Sequence, residues 1–272
     1  MEFKFIQPSG ILRNYIKYYC FMESEVYDAD ISERVIPVGN VQLMFHYRNP
    51  FVVLNTDKQE LQPHSIISGL SNSFFDVGTF GATGVVFVAF HPEGACCFFD
   101  FPLSEIENRS VDMTDIFSRE MKEVEEQLCG VKTIAERTKV IEDFLWRRFS
   151  PIPDHHLMLL KTGVQLITQS RGQMTATRLS EHLSVTPRNL ERKFSAYLGK
   201  SPKQFIKLVR FHATIADITS DKKINLTEYA YRNGYFDQSH FIKEFKALSG
   251  YTPKDFVERY PECNVNDDLS HR

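Results

Sequence analysis

Hydrophobic positions recur along this chain with two different periods. From Val35 to Phe101 the period is two, with apolar side chains at Val41, Leu43, Phe45 and Tyr47, then an apolar run from Val85 to Phe90. Alternation rich in β-branched and aromatic residues predicts strands. The turn signals at residues 37–40, 49–50, 55–57 and 80–84 make those strands short and antiparallel, in a sheet or a partial barrel. From Met113 to Phe149 the spacing becomes helical, through Ile116, Met121, Val124 and Leu128, then Ile134, Val140, Ile141, Phe144 and Leu145. Two helices are therefore expected to close the first domain.

Beyond the turn-forming segment at residues 150–154 the chain repeats itself. FSAYLGKSPKQFI, from Phe194, returns 51 residues later as FKALSGYTPKDFV, from Phe245. Each copy reads as a helix stopped by glycine, a Ser or Thr cap, and a new helix with proline at its first position. Ser201 with Gln204, and Thr252 with Asp255, have the spacing of capping pairs. Upstream of each copy lies a further helix, tight turn and helix, from Met174 and from Ile224. Asn225 with Glu228 caps the second of these, Ala230 and Ser180 are small where helices cross, and Gly234 suits the turn. In the first unit Thr186 caps, Pro187 starts the helix, and Ser184 stands where a turn glycine is expected.

Charge separates the same two parts. Residues 1–154 hold 14 Lys and Arg against 23 Asp and Glu, whereas residues 155–260 hold 17 against 9. A basic, duplicated helical part implies a polyanionic partner. In the last helix of each unit the spacing turns Leu190, Phe194 and Tyr197, and Phe241, Phe245 and Leu248, toward the core. The opposite faces then present Arg188, Asn189, Arg192 and Ser195 in one, and Ser239, His240, Lys243 and Lys246 in the other. Such side chains suit DNA, where Arg reaches guanine O6 and N7 and Lys, Ser and Asn reach bases or phosphates.

The run GYFDQSHFIKEFKALSGYTPKDF, residues 234–256, resembles the AraC/XylS family of bacterial transcription regulators, and the similarity extends over residues 158–260. The resemblance implies two helix-turn-helix units joined by a long helix, here from Pro202 to Thr219, whose recognition helices enter successive major-groove segments of promoter DNA. By position it assigns base-facing roles to Arg188 and Arg192, with Glu191 on the flank, and to Gln238, Ser239 and Lys243. Thr186, His240 and Lys246 take phosphate contacts. IPVGNVQLMF and the stretch from Ala89 to Met113 resemble the N-terminal domain of one branch of that family, which senses a ligand or dimerises. Cupin-like barrels of the wider family make Phe45, Phe74, Phe75, Phe87 and Phe90, with Phe98 and Phe99, candidate walls of an effector pocket; ordinary aromatic core is the alternative.

The expected architecture is thus an α+β domain over residues 1–149, a linker at 150–157, an all-α DNA-binding domain with two helix-turn-helix units at 158–260, and a frayed tail at 261–272. Expected partners are double-stranded DNA, RNA polymerase, a small-molecule effector and a second copy of the chain. The alternative reading is an N-terminal domain that only dimerises or binds a protein. No stretch reaches roughly 18 unbroken apolar residues and no secretory leader is visible, so a cytoplasmic location without membrane insertion is expected. His46, His64 and His91 fall on or beside predicted strands, but no HxH or HxxxH pair exists, and neither metal, cofactor nor enzymatic chemistry is expected. Five cysteines without a CxxC spacing, Cys96 and Cys97 adjacent, are expected to be free thiols.

Overall fold

Two antiparallel sheets and nine helices make up the described part of the computed structural model, which covers residues 2–25, 32–54, 59–220 and 225–260. The turn signal at residues 55–57 and the tail at 261–272, with Cys263, fall outside the described residues. The strands are β1 (Glu2–Ile6), β2 (Ile16–Ser24), β3 (Ser32–Val35), β4 (Gln42–His46), β5 (Val52–Val53), β6 (Glu60–Leu61), β7 (Ser65–Ser68), β8 (Phe75–Gly78), β9 (Thr83–Phe90) and β10 (Ser110–Asp112). Six of them form one sheet, in the order β1-β2-β9-β4-β7-β10, and the other four form a second, in the order β3-β8-β5-β6.

The apolar run of β9 is explained by its central place in the larger sheet, between β2 and β4, with both faces covered. Successive side chains alternate between faces. Val86, Val88 and Phe90 join the main core, while Val85 meets Met22, Met44, Ile66 and Val77 in a second core that the smaller sheet closes. On the main-core side lie α1 (Met113–Gly130) and α2 (Ile134–Arg148), where Phe45 meets Phe144 edge to face at 6.5 Å. Thr133 and Glu136 form a capping box at the start of α2.

The remaining helices are α3 (Asp154–Gln169), α4 (Ala176–His182), α5 (Pro187–Leu198), α6 (Pro202–Ser220), α7 (Leu226–Arg232), α8 (Gln238–Ser249) and α9 (Pro253–Arg259). Helix α3 starts inside the stretch 150–157 that was expected to be a linker. Pro153 is extended just before it, and Asp154 opens the first turn, where an acid suits the helix dipole. Helix α6 has 19 residues, about 28 Å at 1.5 Å per residue, and Phe205, Leu208, Phe211 and Ile215 are among its many buried side chains. It is the shared core of the two units that flank it.

The first part of the chain grips both copies of the repeat at the same point. After α5, Gly199 turns with φ 77° against the backbone of Leu103, and the Lys200 ammonium donates to Glu107 (2.8 Å) and Asn108 (3.1 Å). After α8, Gly250 turns with φ 77° against Arg34 and Phe74. The Arg34 guanidinium is paired bidentately with Asp76 (2.7 and 2.8 Å) and lies between the rings of Phe74 (4.1 Å) and Tyr251 (4.2 Å). A side chain at either glycine would strain the left-handed turn and strike the other domain.

Candidate DNA-binding interface

Each unit builds its second helix from the same local devices. Thr186 accepts from the Asn189 N–H (3.2 Å) and Pro187 follows it; Asp237 accepts from the His240 N–H (2.7 Å). The turns ahead of them match as well, with Val185 N–H donating to Ser180 (3.0 Å) and Tyr235 N–H to Ala230 (2.9 Å). Ser184 takes φ 52° and Gly234 φ 72°, so the serine adopts the left-handed conformation that a glycine adopts in the other copy. Ser180 and Ala230 are buried at the helix crossings, where larger side chains would push α4 from α5 or α7 from α8.

The buried faces hold Leu190 and Phe194 in α5, and Phe241, Phe245 and Leu248 in α8. One assignment shifts. Tyr197 is half-buried and bonded to His156 through its hydroxyl (3.2 Å), while Leu198 next to it is fully buried.

Outward, Arg188, Glu191 and Arg192 are exposed on α5, and Ser239, Lys243 and Lys246 on α8; Thr186 is exposed and Asn189 half-exposed. Arg188, Arg192, Lys243 and Lys246 enter no ion pair among the described residues. Two positions are more constrained. Gln238 accepts a hydrogen bond from Thr227 (2.8 Å), and His240 stands 3.6 Å from the Glu244 carboxylate with its ring against Tyr235. Glu244 is buried and also receives Arg210 (2.8 Å) and Lys207 (3.7 Å), which ties α8 to α6. Asp217, near the end of α6, holds Arg171 (2.6 Å), Arg232 (3.6 Å) and Asn233 (3.1 Å), which ties α6 to the end of α3 and to α7. Sequence reasoning passed over these two acids because nothing in the spacing marks a buried carboxylate shared by several cations.

A helix-turn-helix domain model matches residues 179–259, and residues 4–112 match a model described as a domain of unknown function, DUF6597. The first match makes residues 179–259 a helix-turn-helix domain and supports the resemblance of that part of the chain to the AraC/XylS regulators. Among curated relatives, the chain is 26% identical over 106 residues to histidine kinase P4 of Formosa agariphila, and 26% identical over 93 residues to an uncharacterized HTH-type transcriptional regulator of Staphylococcus aureus. The matched parts cover 38% and 34% of this chain but only 8% and 12% of those relatives. Among solved structures, ToxT of Vibrio cholerae is 10% identical with a TM-score of 0.46, over 88% of this chain and 98% of that one. The C-terminal domain of AraT, a response regulator of Geobacillus stearothermophilus, is 26% identical with a TM-score of 0.34, over 37% of this chain and 84% of that one.

In the first part of the chain a cleft of about 150 Å³ opens between the two sheets, walled by Val35, Met44, Phe51, Phe75, Val77 and Phe87. Gln62 reaches into it, and Asn108 and Arg109 stand among its polar lining. Of the seven phenylalanines expected to wall a pocket, Phe75 and Phe87 line this cleft and Phe74 packs on Arg34 instead. Phe45 and Phe90 do not face it. Phe45 neighbours cleft-facing Met44, and Phe90 lies three positions from Phe87, so strand alternation sends both to the helix side, with Phe98 and Phe99 beside Phe90.

His46 is buried against Phe51, and burial pushes its pKa down to about 4. His64 bonds the His46 carbonyl (3.0 Å) and His91 the Arg13 carbonyl (3.3 Å). Among the described residues no three His, Cys, Asp or Glu side chains group as metal ligands, and no helix is long and apolar enough to cross a membrane. Cys20, Cys96 and Cys97 are buried and Cys129 is exposed, and none of them forms a disulfide among the described residues.

Proposed function

We propose that this regulator reads promoter DNA with α5 and α8 and is controlled by a small molecule held between its two sheets. Arg188 and Arg192 of α5, and Gln238, Ser239 and Lys243 of α8, take the base edges, with Glu191 and Asn189 on the flank of the first helix. Thr186, His240 and Lys246 take phosphates. The observation that carries this reading is the set of four exposed cations, Arg188, Arg192, Lys243 and Lys246, on the outward faces of two helices built by matching caps and turns. Salt bridges to Glu244 engage the neighbouring cations Lys207 and Arg210, whereas these four are left available to a polyanion. Selection from a random DNA library with the full chain, followed by footprinting at fixed salt, tests it: two protected groove segments about 34 Å apart are expected. Failure to enrich any sequence refutes it.

The effector reading rests on the apolar cleft with a few polar groups at its rim, the usual make-up of a small-molecule site. The cleft is bordered by Val35 and Asn108, neighbours of Arg34 and Glu107, through which the first domain grips α8 and α5. Occupancy would bias those grips directly. A thermal-shift screen tests this, because a ligand that binds only the folded state raises the melting temperature.

A further inference from the structure

Among the described residues, Phe236 is the most exposed large apolar side chain, at 84%. It lies directly before Asp237, the N-cap of α8. Its backbone is held on both sides: Tyr235 is buried with its N–H on Ala230, and Asp237 accepts from His240. The ring is therefore presented from a fixed position, and little ordering remains to oppose a contact. The first unit has no counterpart. There Val185 precedes the cap residue Thr186 and is half-buried.

A single exposed aromatic is ordinary on a protein surface, so its place decides its meaning. Phe236 stands at the head of α8, and recognition helices bring their N-terminal residues to base edges. The ring has no donor for a phosphate and no hydrogen bond for a base edge. The major groove displays donors, acceptors and one apolar group, the pyrimidine C5-methyl. We propose that Phe236 packs on that methyl, carried by thymine in unmodified DNA and by 5-methylcytosine in methylated DNA, at the second half-site. This rests on the reading of α8 as a recognition helix. Because the first unit offers Val185 instead, the methyl is read at one half-site only, which fixes the direction in which the chain lies on its operator.

The test starts from the best duplex selected by the full-length protein. Each thymine in the segment protected by the second unit is replaced by deoxyuridine, which removes the methyl and keeps the pairing. One such replacement is expected to weaken wild-type binding about tenfold at fixed salt, of the order of one lost base contact. Phe236→Ala is expected to bind the thymine duplex about tenfold more weakly, to ignore that uracil, and to keep the wild-type melting temperature because the ring packs on nothing in the free protein. A duplex with 5-methylcytosine at that position separates the two sources: binding restored toward the thymine level makes the methyl itself the recognised group, and binding at the cytosine level makes thymine the recognised base. The proposal is overturned if every uracil costs wild type and variant alike, or if Phe236→Ala selects the same sequence with the same affinity, which assigns the ring to a protein partner. A wild-type protein that enriches no sequence removes the DNA reading and this inference together, whereas an enriched sequence insensitive to uracil removes the inference alone.

Discussion

Lys200 donates to the Glu107 carboxylate at 2.8 Å with 1% of its side chain exposed, so a buried ion pair joins the end of α5 to the loop ahead of β10. Gln204 donates to the same carboxylate at 2.9 Å, from the first turn of α6. Burial pulls the Lys200 pKa down, and the Glu107 carboxylate opposes that shift. The stretch between the two helix-turn-helix units is thereby tied to the part of the chain that holds the cleft.

Glu107→Ala is the sharper variant of this pair. It leaves a buried ammonium with only Asn108, and breaking one side of a buried pair costs about 3 kcal/mol. Urea unfolding of the full chain checks it. Lys200→Met should cost less, since Glu107 is partly exposed and recovers water.

His46 predicts a pH dependence. Its folded pKa of about 4 lies below the ordinary 6.5, so the neutral ring contributes stability that is complete above pH 6.5 and is lost as the pH falls toward 4. The loss amounts to about 3 kcal/mol at 1.36 kcal/mol per unit. His46→Phe should flatten the melting-temperature profile between pH 6.5 and 4.5; a profile parallel to wild type would assign the acid sensitivity to other groups.

At the two turns the same conformation is held by different residues. Ser184→Gly should stabilise the protein by about 1 kcal/mol, because φ 52° is strained for serine and free for glycine. Gly234→Ala should destabilise it by a similar amount, with the added methyl near Gln173. Opposite shifts in urea midpoint are the expected signature.

Glu244 gathers Arg210, Lys207 and His240 on a carboxylate that is 8% exposed. Glu244→Ala should loosen α8 from α6 at a cost of about 3 kcal/mol. Hydrogen exchange should then accelerate at α8 amides before those of α5, which is held by Leu190 and Phe194.

On DNA, Arg192→Ala is expected to lower affinity and relax base preference at one position of the first half-site. Lys246→Ala is expected to weaken all sequences equally and to reduce the slope of log affinity against log salt by about 1. Equal losses on every sequence for Arg192→Ala would remove its base-reading role.

The helical part was legible because its determinants are local. Thr186 before Pro187, Thr252 before Pro253, and glycine after α5 and after α8 are decided within three or four residues, and the duplication displays each signal twice. The outward cations followed from the same spacing. Period two likewise announced strands at residues 41–47 and 85–90. Which residues faced the cleft was not legible, because Phe45 and Phe87 are equally apolar and only the covering layer tells one face of the sheet from the other. Nor was the pairing of Lys200 with Glu107, of Arg34 with Asp76, or of Glu244 with Arg210. These partners lie 34 to 93 residues apart, and charged side chains carry no spacing signal until the packed chain has withdrawn them from water. Local hydrogen bonding and periodicity, present in the sequence itself, determined the helices, turns and outward polar faces; long-range burial, which only the tertiary structure creates, decided the cleft and the joints that connect it to the helix-turn-helix units.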